Sequence, residues 1–255
     1  MSQKPIVHVA DSESALASTL YDYIVERAEK ATKDHGFFSI GLSGGSLVKI
    51  LGNGLWKKKN VDWTAWRVFF CDERYVEWDD ADSNYGATQK AFLDKVPIKP
   101  DHVYKINAKV NLPEAADDYT SKIKSVHTGD GLPVFDMLLL GMGPDGHTCS
   151  LFPGHPLLKE TQRVVGYLSD SPKPPPSRIT LTLPVVNNAR CVLFVVLGGS
   201  KAIPASKALD LNKSVDDDDM PPAGKVRPTH GELHWFMDEP AAAEYRAHVA
   251  TTAKN

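Results

Sequence analysis

His147 and Asp145 stand two residues apart in the loop Gly141-Met142-Gly143-Pro144-Asp145-Gly146-His147. An imidazole titrates near neutrality, so it can take a proton from water at physiological pH, and a nearby carboxylate can orient it. Three cations, Arg74, Arg178 and Lys201, each sit at one end of an apolar run. Guanidinium and ammonium groups of this kind can meet a phosphate. A fourth polar cluster, Ser43-Gly44-Gly45-Ser46, separates an apolar run from an amphipathic one. A strand, a glycine turn and a helix start make a ready anion site, because backbone N–H groups point outward and the helix dipole favours negative charge. Asp72 and Asp145 can accept hydrogen bonds from sugar hydroxyls. The chemistry these groups suit is general-base attack by water on a phosphorylated sugar.

The elements that must position them can be read from the apolar pattern. Met137 to Leu140 is a continuous apolar run of the kind shown by a strand buried on both faces of a parallel sheet. It delivers Asp145 and His147 to its carboxyl end, where open α/β sheets bind ligands. Phe37–Leu42 leads likewise into Ser43, Trp66–Cys71 into Asp72-Glu73-Arg74, and Arg190–Leu197 into Gly198-Gly199-Ser200-Lys201. Ile6–Ala10 and Glu232–Phe236 read as further strands, and Val164–Leu168 as an edge strand. Arg178–Leu183 alternates polar and apolar residues like a half-buried strand stopped by Pro184. Helices are expected from a cap at Asp11 or Ser12 through Ala31, closed by Gly36, and over 47–56, 84–93, 113–126, 202–211 and 241–249. Lys173-Pro174-Pro175-Pro176 reads as a stiff extended connector. Lys57-Lys58-Lys59 and Asp216–Asp219 read as solvated charge runs. Strands alternating with helices imply one domain over residues 1–255, with a mainly parallel sheet between helical layers.

Several function classes are excluded by the same residues. Gly141-x-Gly143-x-x-Gly146 matches the dinucleotide fingerprint literally, but Pro153-Gly154 leaves room for only about one helical turn after it, and Pro144 removes an N–H from the cradle. The Ser43–Ser46 turn lacks the GK[ST] ending of a P-loop. The nine histidines show no HExxH spacing, and the three cysteines no CxxC. A formal net charge of −3 gives no general attraction to nucleic acid or to anionic membranes. No apolar run approaches the ~18 residues of a membrane span. The N-terminus lacks a signal-peptide core, and Cys71, Cys149 and Cys191 read as reduced thiols of a cytoplasmic protein.

Read together, these motifs are familiar. Gly141 through Gly154 closely resembles the signature of the 6-phosphogluconolactonase family. So do Leu42–Ser46, Asp72-Glu73-Arg74-Tyr75-Val76, Arg178–Pro184 with Asn187, Gly198-x-x-Lys201-Ala202 and Arg227–Trp235, all in the family's order. The resemblance implies a three-layer, Rossmann-like α/β/α fold shared with glucosamine-6-phosphate deaminases. It implies hydrolysis of a sugar-phosphate lactone in the oxidative pentose phosphate pathway, without a cofactor or catalytic metal. His147 would then be the base and Asp145 would orient it or the sugar. Arg74, Arg178 and Lys201 would hold the 6-phosphate with Ser43, Gly44, Gly45 and Ser46, while Asp72 would meet the sugar; the expected active unit is a monomer. Deaminases of this superfamily carry a relaying glutamate five residues after the histidine, where this chain has Phe152, and tend to have tyrosine in place of Arg74. Met142-Gly143-Pro144 departs from the lactonase pattern, leaving open which loop N–H groups face the substrate. A phosphosugar deaminase or isomerase, and a non-catalytic phosphosugar-binding protein, are the alternatives.

Overall fold

The structure, a computed structural model, describes residues 4–252. Its elements are β1 (Ile6–Ala10), α1 (Glu13–His35), β2 (Phe38–Leu42), α2 (Ser46–Gly54), β3 (Trp66–Phe70), β4 (Asp72–Arg74), α3 (Asn84–Ala91), α4 (Leu112–Val126), β5 (Met137–Gly141), β6 (Val165–Leu168), β7 (Arg178–Leu181), α5 (Leu183–Val186), β8 (Cys191–Val196), α6 (Ala202–Ala208), β9 (Glu232–Asp238) and α7 (Glu239–Thr252). Six strands form an all-parallel sheet in the order β1-β9-β8-β5-β2-β3. The continuous apolar runs explain this. Along β5, Met137 and Leu139 pack with α1, α2 and α3, while Leu138 and Leu140 pack with α4, α6 and α7 on the other face. Helices cover both faces, so the central strands β5 and β8 are apolar on both faces.

Local chemistry sets the helix ends. The Ser12 side chain accepts from the Ala15 N–H, and Gly36, at φ 90°, closes α1 in the left-handed region that glycine enters freely. Asn111 caps α4, its side chain accepting from the Glu114 N–H, with Pro113 in the first turn.

A second sheet, of three strands in the order β4-β7-β6, is antiparallel throughout. It was not anticipated, and it corrects two sequence readings. Asp72–Arg74 is not merely the tail of β3 but a strand paired with β7, with Asp72 opposite Thr180 and Arg74 opposite Arg178. Residues 178–181 are buried on both faces rather than one: Ile179 and Leu181 enter the core, while Arg178 and Thr180 bond to other loops. Pro184 opens the short helix α5 instead of simply stopping a strand, since a proline in a first turn forgoes no helical bond. No helix follows His147; residues 148–154 form turns around a Thr148–Leu151 bridge. The 171–177 segment also differs from an extended connector. It doubles back, with the Ser171 N–H donating to the Pro176 carbonyl at 3.1 Å. Among the described residues no helix is long and apolar enough to cross a membrane.

Candidate active site

The carboxyl ends of β2, β3, β5 and β8 meet at one cleft of about 550 Å³, measured out to open solvent. It lies where the chain leaves β2 for β3 on one side and later returns to β5 on the other, the crevice at which parallel sheets bind ligands. Ser43, Gly44, Gly45, Ser46, Asp72, Arg74, His147, Arg178 and Lys201 all line it. Five stretches separated by up to 158 positions in sequence, counted from Ser43 to Lys201, are thus brought together. Asp145 is behind this wall, bonded to His147 rather than lining the cleft.

His147 is held from three directions. Its Nδ1 is 2.5 Å from Asp145 Oδ1. The His147 N–H also donates to that carboxylate, and the Gly143 N–H donates to the His147 carbonyl at 2.9 Å. The ring lies against buried Phe152, with centroids 4.7 Å apart. A carboxylate can only accept, so Nδ1 carries the hydrogen and Nε2 keeps a lone pair for a water in the cleft. Burial holds the imidazole below its ordinary value, and Lys173 acts in the same direction, while Asp145 and Asp72 pull it upward. His147 is therefore a neutral base at neutral pH. Burial also pushes Asp145 up, but its bonds from His147 and the charge of Lys173 outweigh that and keep it ionised.

Gly143 makes this packing possible. A Cβ there would sit 2.2 Å from both Cε1 and Nδ1 of His147 and 2.6 Å from Asp145 Oδ1. Gly44 is similar: a Cβ would lie 2.0 Å from Asn84 Oδ1, so the Ser43–Ser46 turn can reach the start of α3 only as glycine. Gly45, at φ 71°, precedes the first residue of α2 and aims that helix's free N–H groups at the cleft.

The pleat of β4 sorts its three residues. Asp72 and Arg74 line the cleft, whereas Glu73 points the other way. Glu73 is 1% exposed and accepts from the backbone N–H groups of Arg74, Asn84 and Tyr85, each at 2.8 Å. Burial pushes its carboxyl up to about 7 against the pull of those three donors. It is an anchor for the start of α3.

The cations have different commitments. Arg178 is 3% exposed, and its Nε and Nη2 donate to the carbonyls of Lys173, Pro174 and Pro175 at 2.9 to 3.1 Å. Its Nη1 reaches Ser150 Oγ at 3.4 Å, and that hydroxyl donates to Asp72 Oδ2 at 2.7 Å. Arg74 donates from Nη1 to the Asp82 carbonyl, leaving Nε buried and unpartnered. The Ser43 hydroxyl is buried and unpartnered too. Burial lowers Lys201 below its ordinary value, with Asp238 opposing. Two unsatisfied polar atoms on a cationic wall fit an anionic ligand that supplies acceptors. Among the described residues no three His, Cys, Asp or Glu side chains are grouped to hold a metal ion.

Sequence reasoning missed Asn84 and Lys173. Asn84 lines the cleft, its amide donating to the Asp72 carbonyl at 2.9 Å. Its place as first residue of a helix gave no functional signal. Lys173 Nζ is 3.3 Å from Asp145 Oδ2 and 3.4 Å from His147 Nδ1. Only the folding-back of a proline run brings it there.

Comparison with known proteins agrees with this geometry. The family model described as glucosamine-6-phosphate isomerases/6-phosphogluconolactonase matches residues 11–235. The chain is 43% identical over 242 residues to the 6-phosphogluconolactonase of Rattus norvegicus, covering 93% of this chain and 92% of that one. It is 44% identical over 243 residues to the Homo sapiens protein of the same name, with the same coverage. The solved 6-phosphogluconolactonase from Trypanosoma cruzi superposes with a TM-score of 0.82 at 29% identity, over 95% of this chain and 97% of that one.

Proposed function

The chain belongs to the family of glucosamine-6-phosphate isomerases and 6-phosphogluconolactonases, and from that premise we infer that it hydrolyses 6-phospho-D-glucono-1,5-lactone to 6-phospho-D-gluconate, a step of the oxidative pentose phosphate pathway. The observation that carries this reading is the Asp145–His147 pair at the edge of a cleft whose other walls are Arg74, Arg178 and Lys201. The phosphate is the handle. Ser43–Ser46, Arg74 and Lys201 hold it, with the remaining Nη1 capacity of Arg178, and Asp72 accepts from a sugar hydroxyl. This places the lactone carbon C1 beside a water on His147 Nε2.

His147 Nε2 takes a proton as the water oxygen bonds to C1, and the carbonyl π electrons move to its oxygen. The tetrahedral centre then collapses, the C1–ring oxygen bond breaks, and the imidazolium returns its proton to the departing oxygen. Asp145 keeps Nδ1–H in place throughout and stabilises the imidazolium between the two transfers. Phe152 supports lactone hydrolysis over deamination, because its ring packs on His147 where a deaminase has its relaying glutamate.

One domain over residues 1–255 and a monomeric active unit are parts of this reading. The single domain is supported by the six-stranded sheet shared by both halves of the core. A cytosolic setting is supported by three free, buried cysteines. The test is lactone hydrolysis above the spontaneous background. His147→Ala should lower turnover ~10²–10⁴-fold with little change in KM; wild-type turnover in that variant would refute the base assignment.

A further inference from the structure

Asp145 raises a difficulty that the site itself resolves. A carboxylate bonded to Nδ1 fixes the useful tautomer, but it also favours the protonated ring, and a protonated His147 cannot act as a base. The carboxylate is shared. Oδ1 takes His147 Nδ1, while Oδ2 takes Lys173 Nζ at 3.3 Å, and the same ammonium is 3.4 Å from the ring nitrogen.

Resting on the lactonase reading, we propose that Lys173 is a positioning residue for this reaction. Its ammonium occupies the far oxygen of Asp145 and stands against His147, so that Asp145 orients the ring without holding it as imidazolium.

The fold goes to some length to put Lys173 there. The segment doubles back through Ser171, whose hydroxyl donates to the Lys173 carbonyl at 2.8 Å and accepts from the Lys173 N–H at 3.2 Å. Arg178 clamps the same stretch by donating to three consecutive carbonyls, those of Lys173, Pro174 and Pro175. A buried arginine in a cleft is thereby bound to backbone rather than left wholly free for substrate. Its clamp fixes the base of the lysine side chain that reaches the catalytic pair.

Every charged or titratable group facing His147 bears on the argument. Asp145 and Lys173 touch the ring nitrogen, and Asp72 acts across the cleft. Arg74, Arg178, Lys201 and the Cys149 thiol line the same cavity. Of the cations, Lys173 alone among the described residues is within hydrogen-bond distance of His147. Its effect on the ring agrees in sign: it disfavours the imidazolium, as burial does.

The experiment uses the full-length protein with Lys173→Met, which keeps the length of the stem and removes the charge, and Lys173→Arg, which keeps the charge. The acid limb of the kcat/KM profile should move up by roughly one pH unit in Lys173→Met. One unit below the wild-type limb that is about a tenfold loss of rate; well above it the two proteins should agree within about threefold. Lys173→Arg should restore the limb. The titration of His147, followed by its imidazole ¹⁵N shifts, should move in the same direction without any reliance on turnover. Thermal denaturation reports whether Lys173→Met is folded. A limb and a ¹⁵N titration that both stay within about 0.2 unit overturn the proposal. So does an equal loss of kcat at every pH, which marks Lys173 as structural, and so does a change confined to KM, which marks it as a substrate contact. If His147→Ala is inactive while Lys173→Met leaves the ¹⁵N titration unmoved, the lysine's role is refuted and the base assignment stands. If His147→Ala keeps full turnover, the base assignment falls, and the ¹⁵N titration alone decides whether Lys173 governs the ring.

Discussion

Gly143→Ala should leave the protein folded and remove most of its activity. A Cβ at this position would lie 2.2 Å from Cε1 and Nδ1 of His147, and ordinary contact begins at 3.4 Å. The difference, 3.4 − 2.2, requires the ring or the loop to move by about 1.2 Å. The ring has little room to shift, because Phe152, itself 1% exposed, packs on it with centroids 4.7 Å apart. Movement must therefore break the Nδ1 bond to Asp145 or swing Nε2 away from the cleft. A displacement of about 1 Å at a reacting group costs on the order of 10²-fold in rate, or about 2.7 kcal/mol of barrier. The backbone does not forbid alanine here, since Gly143 is not among the residues with positive φ. The assay is proton release on lactone hydrolysis, with a thermal melt alongside. Gly131→Ala, where an added Cβ meets nothing within 4 Å, serves as the remote control. A Gly143→Ala protein with kcat within threefold of wild type would show that close packing of the glycine does not position the base.

Arg178→Ala should raise KM and also lower kcat, because it releases the stretch carrying Lys173. Three carbonyls lose a donor, worth about 1 kcal/mol each, so urea denaturation should show a loss of ~3 kcal/mol; a pure KM effect at unchanged stability would contradict the clamp. Glu73→Gln should cost ~1–3 kcal/mol of stability by presenting an amide N–H₂ to backbone donors at the start of α3, while kcat changes less than about twofold because the residue faces away from the cleft. Its pH dependence has a definite sign. A carboxyl raised from 4.5 to about 7 by burial binds its proton more tightly folded than unfolded, so its contribution is full below 4.5 and declines as pH rises to 7. The stability gap between wild type and Glu73→Gln should narrow over that window; a gap that widens with pH would mean that the three N–H donors outweigh burial.

The sequence disclosed this site unevenly, for physical reasons. Runs such as Met137–Leu140 and Cys191–Val196 are apolar on both faces because helices cover both faces, and the second runs into Gly198, whose φ of 90° favours glycine. Such positions are legible because a single local requirement, complete burial or a tight turn, dictates the residue type. The β4-β7-β6 sheet was not legible. Its strands are three to four residues long, so no periodicity develops within any of them, and β4 pairs with β7 across about a hundred positions. Arg178–Leu181 alternates like a strand facing water, yet its polar side chains are turned onto buried partners, a distinction that alternation cannot express. Lys173 was least visible of all. A lysine before three prolines looks like a spacer, and what makes it otherwise is a clamp supplied by Arg178 from the following strand.

The charges of the cleft explain why so many cations serve one small substrate. Arg74, Lys173, Arg178 and Lys201 face Asp72 and Asp145, so four positive charges against two negative leave an excess of two. A phosphate monoester carries about −1.5 to −2 near neutral pH, which closes the balance with His147 neutral. The chain as a whole is at −3, so attraction of the substrate comes from local focusing by the cleft and not from overall charge. Within that balance each carboxylate is tied to a different duty: Asp72 to Ser150 and the sheet, Asp145 to the histidine. If Lys173 were neutral, the excess would fall to one and the missing charge would be the one nearest the base. The imidazole would then be drawn toward protonation by Asp145 and by the arriving phosphate together. A lysine placed behind the catalytic pair, away from the phosphate-binding turn, lets the site bind a dianion without protonating its own base.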